Sequence, residues 1–491
     1  MKGVEERAVR GVPWTILAYA ANKLVTVGTT LALARLLTPE DFGIVALALL
    51  AVVALSFLRD LGLNGALVIR RDLDERAQGV VLALMLTTGA LLAAALAASA
   101  PLAARLFDEP RLEGVLEVLS IAVLLGGFTW FYETVLQREL EFKKRFVSVT
   151  AQTVAYAATA LTLAALGAGV WSLVVGQLAG TVAFGVALVA VAPYHVTPRF
   201  DWTTARGLVR SSRGFMLQGV TAFLQQNADY FAVGRILGAA QVGFYSLAYR
   251  LAELPYWAIA DPVARVTFPA FARMRHRGED VRPAFLSTLR LVALVSCPFG
   301  VVLSGAAEPF TAALLGDKWL PMVGPLAVLG IWGAVRPVQV TIAWLLNSVG
   351  QAGLMGLISV AVLVPLIPGL LVAADLGGIT AVAWVMLGDM VVSLLVLSWF
   401  AARRADVRLG AQARAVAPVL LACVLAWAAS RAVTIALDEE RALVALAAAS
   451  LAGAAAYVGG VAVLAPGLLR KAAGQAARTM GRGPAAVERP A

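Results

Sequence analysis

Long, uninterrupted apolar runs constrain this chain more than any other feature. The stretches 147–166, 286–307 and 353–374 carry few or no charges, and similar runs recur along the whole sequence. A helix crosses a bilayer core on about 20 apolar residues. Membrane strands would instead alternate with period two over about ten residues. These runs are continuously apolar and rich in Ala and Leu, which favour helix. Composition agrees: 60% of residues are hydrophobic and 14% charged, against about 45–50% and about 25% for soluble domains. A disordered chain, a coiled coil and a soluble enzyme are excluded.

Polar punctuation divides the chain into fourteen expected spans: 12–37, 42–68, 78–104, 114–136, 147–167, 170–192, 214–237, 242–269, 285–308, 322–346, 353–374, 378–401, 416–437 and 442–465. The first is read as a retained span and not a signal peptide, because it is long, carries Lys23 and has no small-residue cleavage site behind it. Of 40 Lys and Arg residues, with helix ends counted on the side they face, 28 fall on the side holding both termini and the connections after even-numbered spans, 7 on the other side and 5 deeper inside spans. That asymmetry places both termini in the cytoplasm. It also explains the net charge of +10 without nucleic acid. The connections on the other side are too short for a folded domain. The two cysteines, Cys297 and Cys423, sit inside apolar runs as small buried or lipid-facing residues, and His195 and His276 stand alone in polar connections, so no disulfide framework, metal site or cofactor is expected. There is no phosphate-binding loop of the G-x-x-x-x-G-K-[ST] type.

A weak internal repeat runs at an offset of 200: Ala34-Arg35-Leu36-Leu37 against Gly234-Arg235-Ile236-Leu237, Gly43 against Gly243, and Arg10 against Arg210. Helix order and direction are the same in both copies, as in transporters built from parallel repeats. The expected organisation is an N-terminal lobe (1–192), a cytoplasmic linker (193–213), a C-terminal lobe (214–401), two extra helices (402–465) and a basic cytoplasmic tail (466–491). Thr38-Pro39-Glu40-Asp41 reads as an N-cap, a proline at the first helical position and acids in the first turn.

Ionisable side chains are costly in a span, and they turn to a water-filled interior, snorkel to an interface or form structural pairs. Here they concentrate in the first two spans of each half: Asn22, Lys23, Thr26, Thr29 and Thr30; Arg59 and Asp60; Gln218, Gln225 and Asp229; Arg250 and Glu253, which at i and i+3 are able to pair. Arg336 lies within the tenth span and Asp389 within the twelfth. A pathway lined by spans 1, 2, 7 and 8 is the direct expectation. Deep cations suit an anionic passenger, because arginine forks match phosphate and lysine serves as a point charge. Amides and hydroxyls suit a sugar. Tyr230, Tyr245, Tyr249, Tyr256 and Trp257 read either as sugar-stacking rings or as packing and interfacial aromatics.

Three segments carry a resemblance. Ala34-Arg35-Leu36-Leu37-Thr38-Pro39-Glu40-Asp41-Phe42-Gly43, Asp60-Leu61-Gly62-Leu63 followed by Ala66-Leu67-Val68-Ile69-Arg70-Arg71-Asp72-Leu73, and Leu315-Gly316-Asp317-Lys318-Trp319-Leu320-Pro321 resemble signatures of the bacterial O-antigen and exopolysaccharide flippases (Wzx-type). These belong to the multidrug/oligosaccharidyl-lipid/polysaccharide exporter superfamily. The resemblance covers about residues 5–400 and is strongest in 10–75. It implies an all-α integral membrane protein with two pseudo-symmetric six-helix lobes in a V plus two C-terminal helices. It further implies alternating access in the bacterial cytoplasmic (inner) membrane, with an undecaprenyl-diphosphate-linked oligosaccharide as passenger. Membrane lipid, a polysaccharide polymerase and glycosyltransferases are the implied partners. No bond is broken, so no catalytic residue is needed. In the related lipid II flippases, basic residues of the first, second and eighth helices contact the diphosphate, and Lys23, Arg59 and Arg250 lie in those helices here. The expected substrate-binding set is Lys23, Arg59, Arg250, Asn22, Asp60, Gln225, Asp229, Glu253 and Arg336. An ion-coupled drug exporter of the same superfamily is the alternative. A membrane polymerase or ligase is disfavoured by the short outer connections.

Overall fold

A computed structural model describes residues 22–60, 75–139, 141–192, 196–437 and 442–466. Among them every regular element is helical. The longer helices are α1 (22–36), α2 (Pro39–Asp60), α3 (Glu75–Leu106), α4 (Arg111–Arg138), α5 (Phe142–Ala165), α6 (Val170–Val191), α7 (Trp202–Leu237), α8 (Ala239–Ala252), α9 (Asp261–His276), α10 (Arg282–Gly305), α11 (Val323–Ser348), α12 (Ala352–Arg404), α13 (Leu409–Ala436) and α14 (Ala442–Leu464). Each of the fourteen expected spans has helical residues. Ten helices are long and apolar enough to cross a membrane among the described residues. Three things account for the difference. The described part of α1 is short. α12 covers two spans, being two helices that meet at Gly378, whose φ of 64° breaks the run. α7 carries the polar residues noted above, and the eighth span is divided into α8 and α9, each too short to cross alone.

The eighth span is divided. α8 stops at Ala252, a single π-turn follows at Tyr256–Ala260, and α9 resumes at Asp261. Pro255 and Pro262 flank that π-turn and lack the N–H that continuous α-helix needs. α7 begins at Trp202, inside the stretch expected as linker.

Two compact units emerge from the packing, neither a single stretch of chain. One comprises the described residues up to Tyr249 with Leu314–Pro325 and Gly356–Met386; the other comprises Arg250–Ala313, Leu326–Met355 and the described residues from Leu387 onward. In the first unit α3, α4 and α6 share a core of Val80, Val81, Met85, Phe131, Tyr132, Val135, Phe184 and Leu188. α5 pairs with α6, and α2 packs on α4 and α7. Large apolar side chains such as Leu91, Val154 and Val186 remain exposed on the outside of these helices. That pattern fits a hydrocarbon solvent, where the backbone must be satisfied within each helix.

The repeat has a direct structural counterpart in this unit. A Cβ on Gly43 would strike the Ala239 carbonyl and crowd the Gly243 nitrogen; a Cβ on Gly243 would strike the Pro39 carbonyl and crowd the Gly43 nitrogen. Residues 43 and 243, and 39 and 239, are related by the same offset of 200. The starts of α2 and α8 therefore cross in reciprocal contact that only glycine permits.

In the second unit α13 and α14 pair with each other and pack on α10. The Tyr457 hydroxyl donates to the Leu294 carbonyl (2.6 Å), the Trp427 indole to Ser304 Oγ (3.2 Å) and the Thr434 hydroxyl to the Gly305 carbonyl (3.2 Å). The two extra helices thus attach to the second half through α10.

Candidate functional site

In the second unit, backbone proximity creates a charged site. A Cβ at Gly333 would run into the Ala252 carbonyl, so α11 meets the end of α8 backbone to backbone. One residue past Ala252 and one turn past Gly333, Glu253 and Arg336 meet: Arg336 Nη1 lies 2.9 Å from Glu253 Oε1, with the two side chains 10% and 15% exposed. The guanidinium also lies over two rings, 4.6 Å from the Tyr256 centroid and 4.8 Å from the Trp332 centroid. One carboxylate and two aromatic rings fix the arginine's position. Tyr256 reaches this place as the first residue of the π-turn.

The pair that spacing leaves open to Arg250 and Glu253 is not formed. Glu253 is bound to Arg336, while Arg250 is exposed and makes no ion pair among the described residues. Spacing of i and i+3 permits the first pair, but the second is more buried, where lower dielectric strengthens attraction. In the sequence Arg336 is a member of the expected substrate-binding set within the tenth span, with no partner at helical spacing. Its partner lies on another helix, so spacing did not reveal it.

The remaining expected residues that the structure describes lie in the first unit. Asp229 is buried; its carboxylate accepts from the Tyr245 hydroxyl (2.8 Å) and from the Tyr230 N–H (2.9 Å). Tyr230 meets Tyr245 and Tyr249 edge-on (5.7 Å each), and those two rings lie tilted to each other at 6.3 Å, so the three pack together. Gln225 Nε2 donates to the Ser359 carbonyl (2.9 Å), tying α7 to α12, and Asn22 Nδ2 donates to Thr150 Oγ1 (2.9 Å), tying α1 to α5. Thr26 and Thr30 turn their hydroxyls back to carbonyls of α1. Lys23 is half-buried on the same helix. Arg59 and Asp60 belong to the last turn of α2, and their side chains lie outside the described residues.

Two of the segments that carried the resemblance dock on each other. The Lys318 ammonium donates to the carbonyls of Arg35 and Leu37 (2.7 Å each), and the buried Trp319 indole donates to the Ala34 carbonyl (2.8 Å). Arg35 Nε donates in turn to the Leu314 carbonyl (2.7 Å). The carbonyls at the C-terminus of α1, which have no partner within the helix, are thereby capped from 283 residues further along the chain. Trp319 is held between the edges of Phe42 (5.3 Å) and Phe244 (5.8 Å). The start of α2 is a reciprocal capping box: the Asp41 N–H donates to Thr38 Oγ1, and the Thr38 N–H to Asp41 Oδ2. Glu40 pairs with Arg111. The sequence displayed both segments without pairing them, because their contacts run from side chain to backbone carbonyl and carbonyls leave no mark in residue identity.

An apolar cavity of about 330 Å³ lies among α10, α11 and α13, lined by Cys297, Val301, Ala334, Leu420, Cys423 and Trp427. Both cysteines are buried. No group of His, Cys, Asp or Glu among the described residues is arranged to hold a metal.

Residues 32–324 match the family described as "Polysaccharide biosynthesis protein". The chain belongs to that family. The match opens just before the α1–α2 turn and closes just after the 317–322 segment that caps it, so it takes in both docked segments. Among relatives of this polysaccharide biosynthesis protein, the succinoglycan biosynthesis transport protein ExoT of Rhizobium meliloti is 30% identical over 70% of both chains. The teichuronic acid biosynthesis protein TuaB of Bacillus subtilis is 26% identical over 82% of this chain and 84% of its own. The lipopolysaccharide biosynthesis protein WzxC of Escherichia coli is 24% identical over 81% of each. In fold, the chain is similar to the lipid II flippase MurJ in an inward closed conformation: TM-score 0.75 at 12% identity, covering 93% of this chain and 99% of that one. An inward-facing multidrug resistance transporter of the MATE family matches with TM-score 0.61 at 14% identity, covering 80% of this chain and 98% of its own.

Proposed function

We propose that this multi-pass membrane protein translocates an undecaprenyl-diphosphate-linked oligosaccharide from the cytoplasmic to the outer leaflet of the bacterial inner membrane. It does so by alternating access, in the assembly of a cell-surface polysaccharide. The observation that carries this reading is the extent of the fold match. The lipid II flippase covers 93% of the chain and the drug transporter 80%, a difference of 13% that is about the size of α13 and α14 together. The names of the relatives, all in polysaccharide biosynthesis, support the same substrate class.

In this reading the diphosphate is met by Lys23, Arg59 and Arg250, and the sugar by amides such as those of Asn22 and Gln225. The prenyl tail stays in lipid, where the apolar cavity beside α13 offers it a surface. A helix-centre charge costs about 2.5–3.5 kcal/mol on insertion scales, so a diphosphate crosses only with counter-charges and water. Glycosyltransferases supply the passenger and a polymerase consumes it, and the charge asymmetry of the sequence supports cytoplasmic termini. The test is removal of the gene from its host. Lipid-linked repeat units should accumulate in the cytoplasmic leaflet, and surface polysaccharide should disappear. Normal polysaccharide together with new drug sensitivity would establish the drug-exporter alternative instead.

A further inference from the structure

We infer that Arg336 is a positioning residue, which acts by keeping Glu253 away from Arg250 so that Arg250 presents an unneutralised charge to an anionic ligand. This rests on the reading of Arg250 as a diphosphate contact. Glu253 stands three residues after Arg250, one residue past the end of α8, a spacing at which carboxylate and guanidinium are able to meet. It is instead held at 2.9 Å by Arg336 from α11. Three features make that choice firm. Gly333 lets the α11 backbone reach Ala252, which sets the distance. The Tyr256 and Trp332 rings clamp the guanidinium before any ligand arrives. The pair is also largely buried, so its attraction is weakly screened. Arg250 stays exposed and without an ion pair among the described residues. The π-turn at Tyr256–Ala260 belongs to the same device, since it carries one of the two clamping rings.

Without Arg336, the Glu253 carboxylate is a half-buried charge whose nearest remedy along the chain is Arg250. Arg336 would then matter for ligand binding although it touches no ligand, and its loss would be cured by neutralising Glu253. The test uses the full-length protein in lipid nanodiscs, farnesyl diphosphate as probe, and melting temperature as a separate measure of folding. Arg250→Gln is expected to weaken binding about tenfold, the scale of one charged hydrogen bond, and to reduce its salt dependence. Arg336→Gln should weaken binding and flatten the salt dependence to the same degree. The double variant Arg336→Gln/Glu253→Gln should return both to within about twofold of the starting protein, while Arg250→Gln/Glu253→Gln should not. A purely structural ion pair would move the melting temperature without restoring an Arg250-dependent salt response. Should Arg336→Gln fail to fold, Arg336→Lys keeps the charge without the fork and is expected to weaken binding roughly threefold. Full-strength binding by a folded Arg336 variant, or a double variant as weak as the single one, would overturn the inference alone if Arg250→Gln is weak. If Arg250→Gln also binds at full strength, the assignment of Arg250 to the diphosphate falls with it.

Discussion

Two regions of the molecule use the same residue types in opposite ways. At the turn between α1 and α2, cations and an indole are consumed by backbone: Lys318 and Trp319 cap the carbonyls of residues 34, 35 and 37, and Arg35 caps Leu314. At the junction of α8 and α11, one arginine is consumed by a carboxylate and clamped by rings, while a second is left exposed. The first region is a fixed joint, with donors and acceptors matched. The second holds charge in reserve. The difference teaches that a charged residue in a membrane protein is informative only once its partner is known.

The comparison can be broken by substitutions that ought to separate stability from transport. The largest stability effect is expected for Trp319→Ala, which empties a fully buried site between Phe42 and Phe244 and leaves the Ala34 carbonyl without its donor. Loss of a buried Trp side chain costs about 3–5 kcal/mol, to be read as a lower unfolding temperature in detergent, with export falling only as folded protein falls. An export defect at full stability would move the α1–α2 joint into the transport machinery. Gly243→Val comes next: its side chain would strike the Pro39 carbonyl, and overpacking costs about 1–3 kcal/mol. Gly43→Val should match it, since the contact is reciprocal; unequal melting temperatures would show that the crossing is not symmetric in energy.

The smallest effect belongs to Asp280, which accepts from the Arg282 side chain and backbone in the connection before α10. These hydrogen bonds hold its carboxyl below the usual carboxylate range. A depressed carboxyl stabilises the fold above its unfolded pKa and loses that contribution as pH falls through the folded one. Asp280→Asn should therefore melt slightly earlier at neutral pH and converge with the parent protein under acid. The group is fully exposed, so the gap is small. A gap that widens toward acid would reverse the sign and refute the cause given.

Much of the fold was legible because lipid enforces it. Every expected span has a helical counterpart, and the offset of 200 between Gly43 and Gly243 proved to be a physical crossing. The Thr38 cap was legible too, being local. The divided eighth span was not read as divided, although Pro255 and Pro262 stood in it; an apolar window averages over two prolines. The Arg250–Glu253 pair was offered by spacing and overruled by Arg336, whose approach depends on Gly333 and could not be read from either helix alone. The caps from Lys318 and Trp319 were hidden for the same reason, since they join helices by contacts to carbonyls.

The central claim is that three cations, Lys23, Arg59 and Arg250, carry a lipid-linked diphosphate through the membrane. The most direct measurement is translocation of a fluorescent undecaprenyl-diphosphate oligosaccharide in proteoliposomes holding the triple variant Lys23→Gln/Arg59→Gln/Arg250→Gln. Translocation is expected to be lost, while membrane insertion and melting temperature stay those of the parent protein. Translocation at the parent rate by the folded triple variant would contradict it.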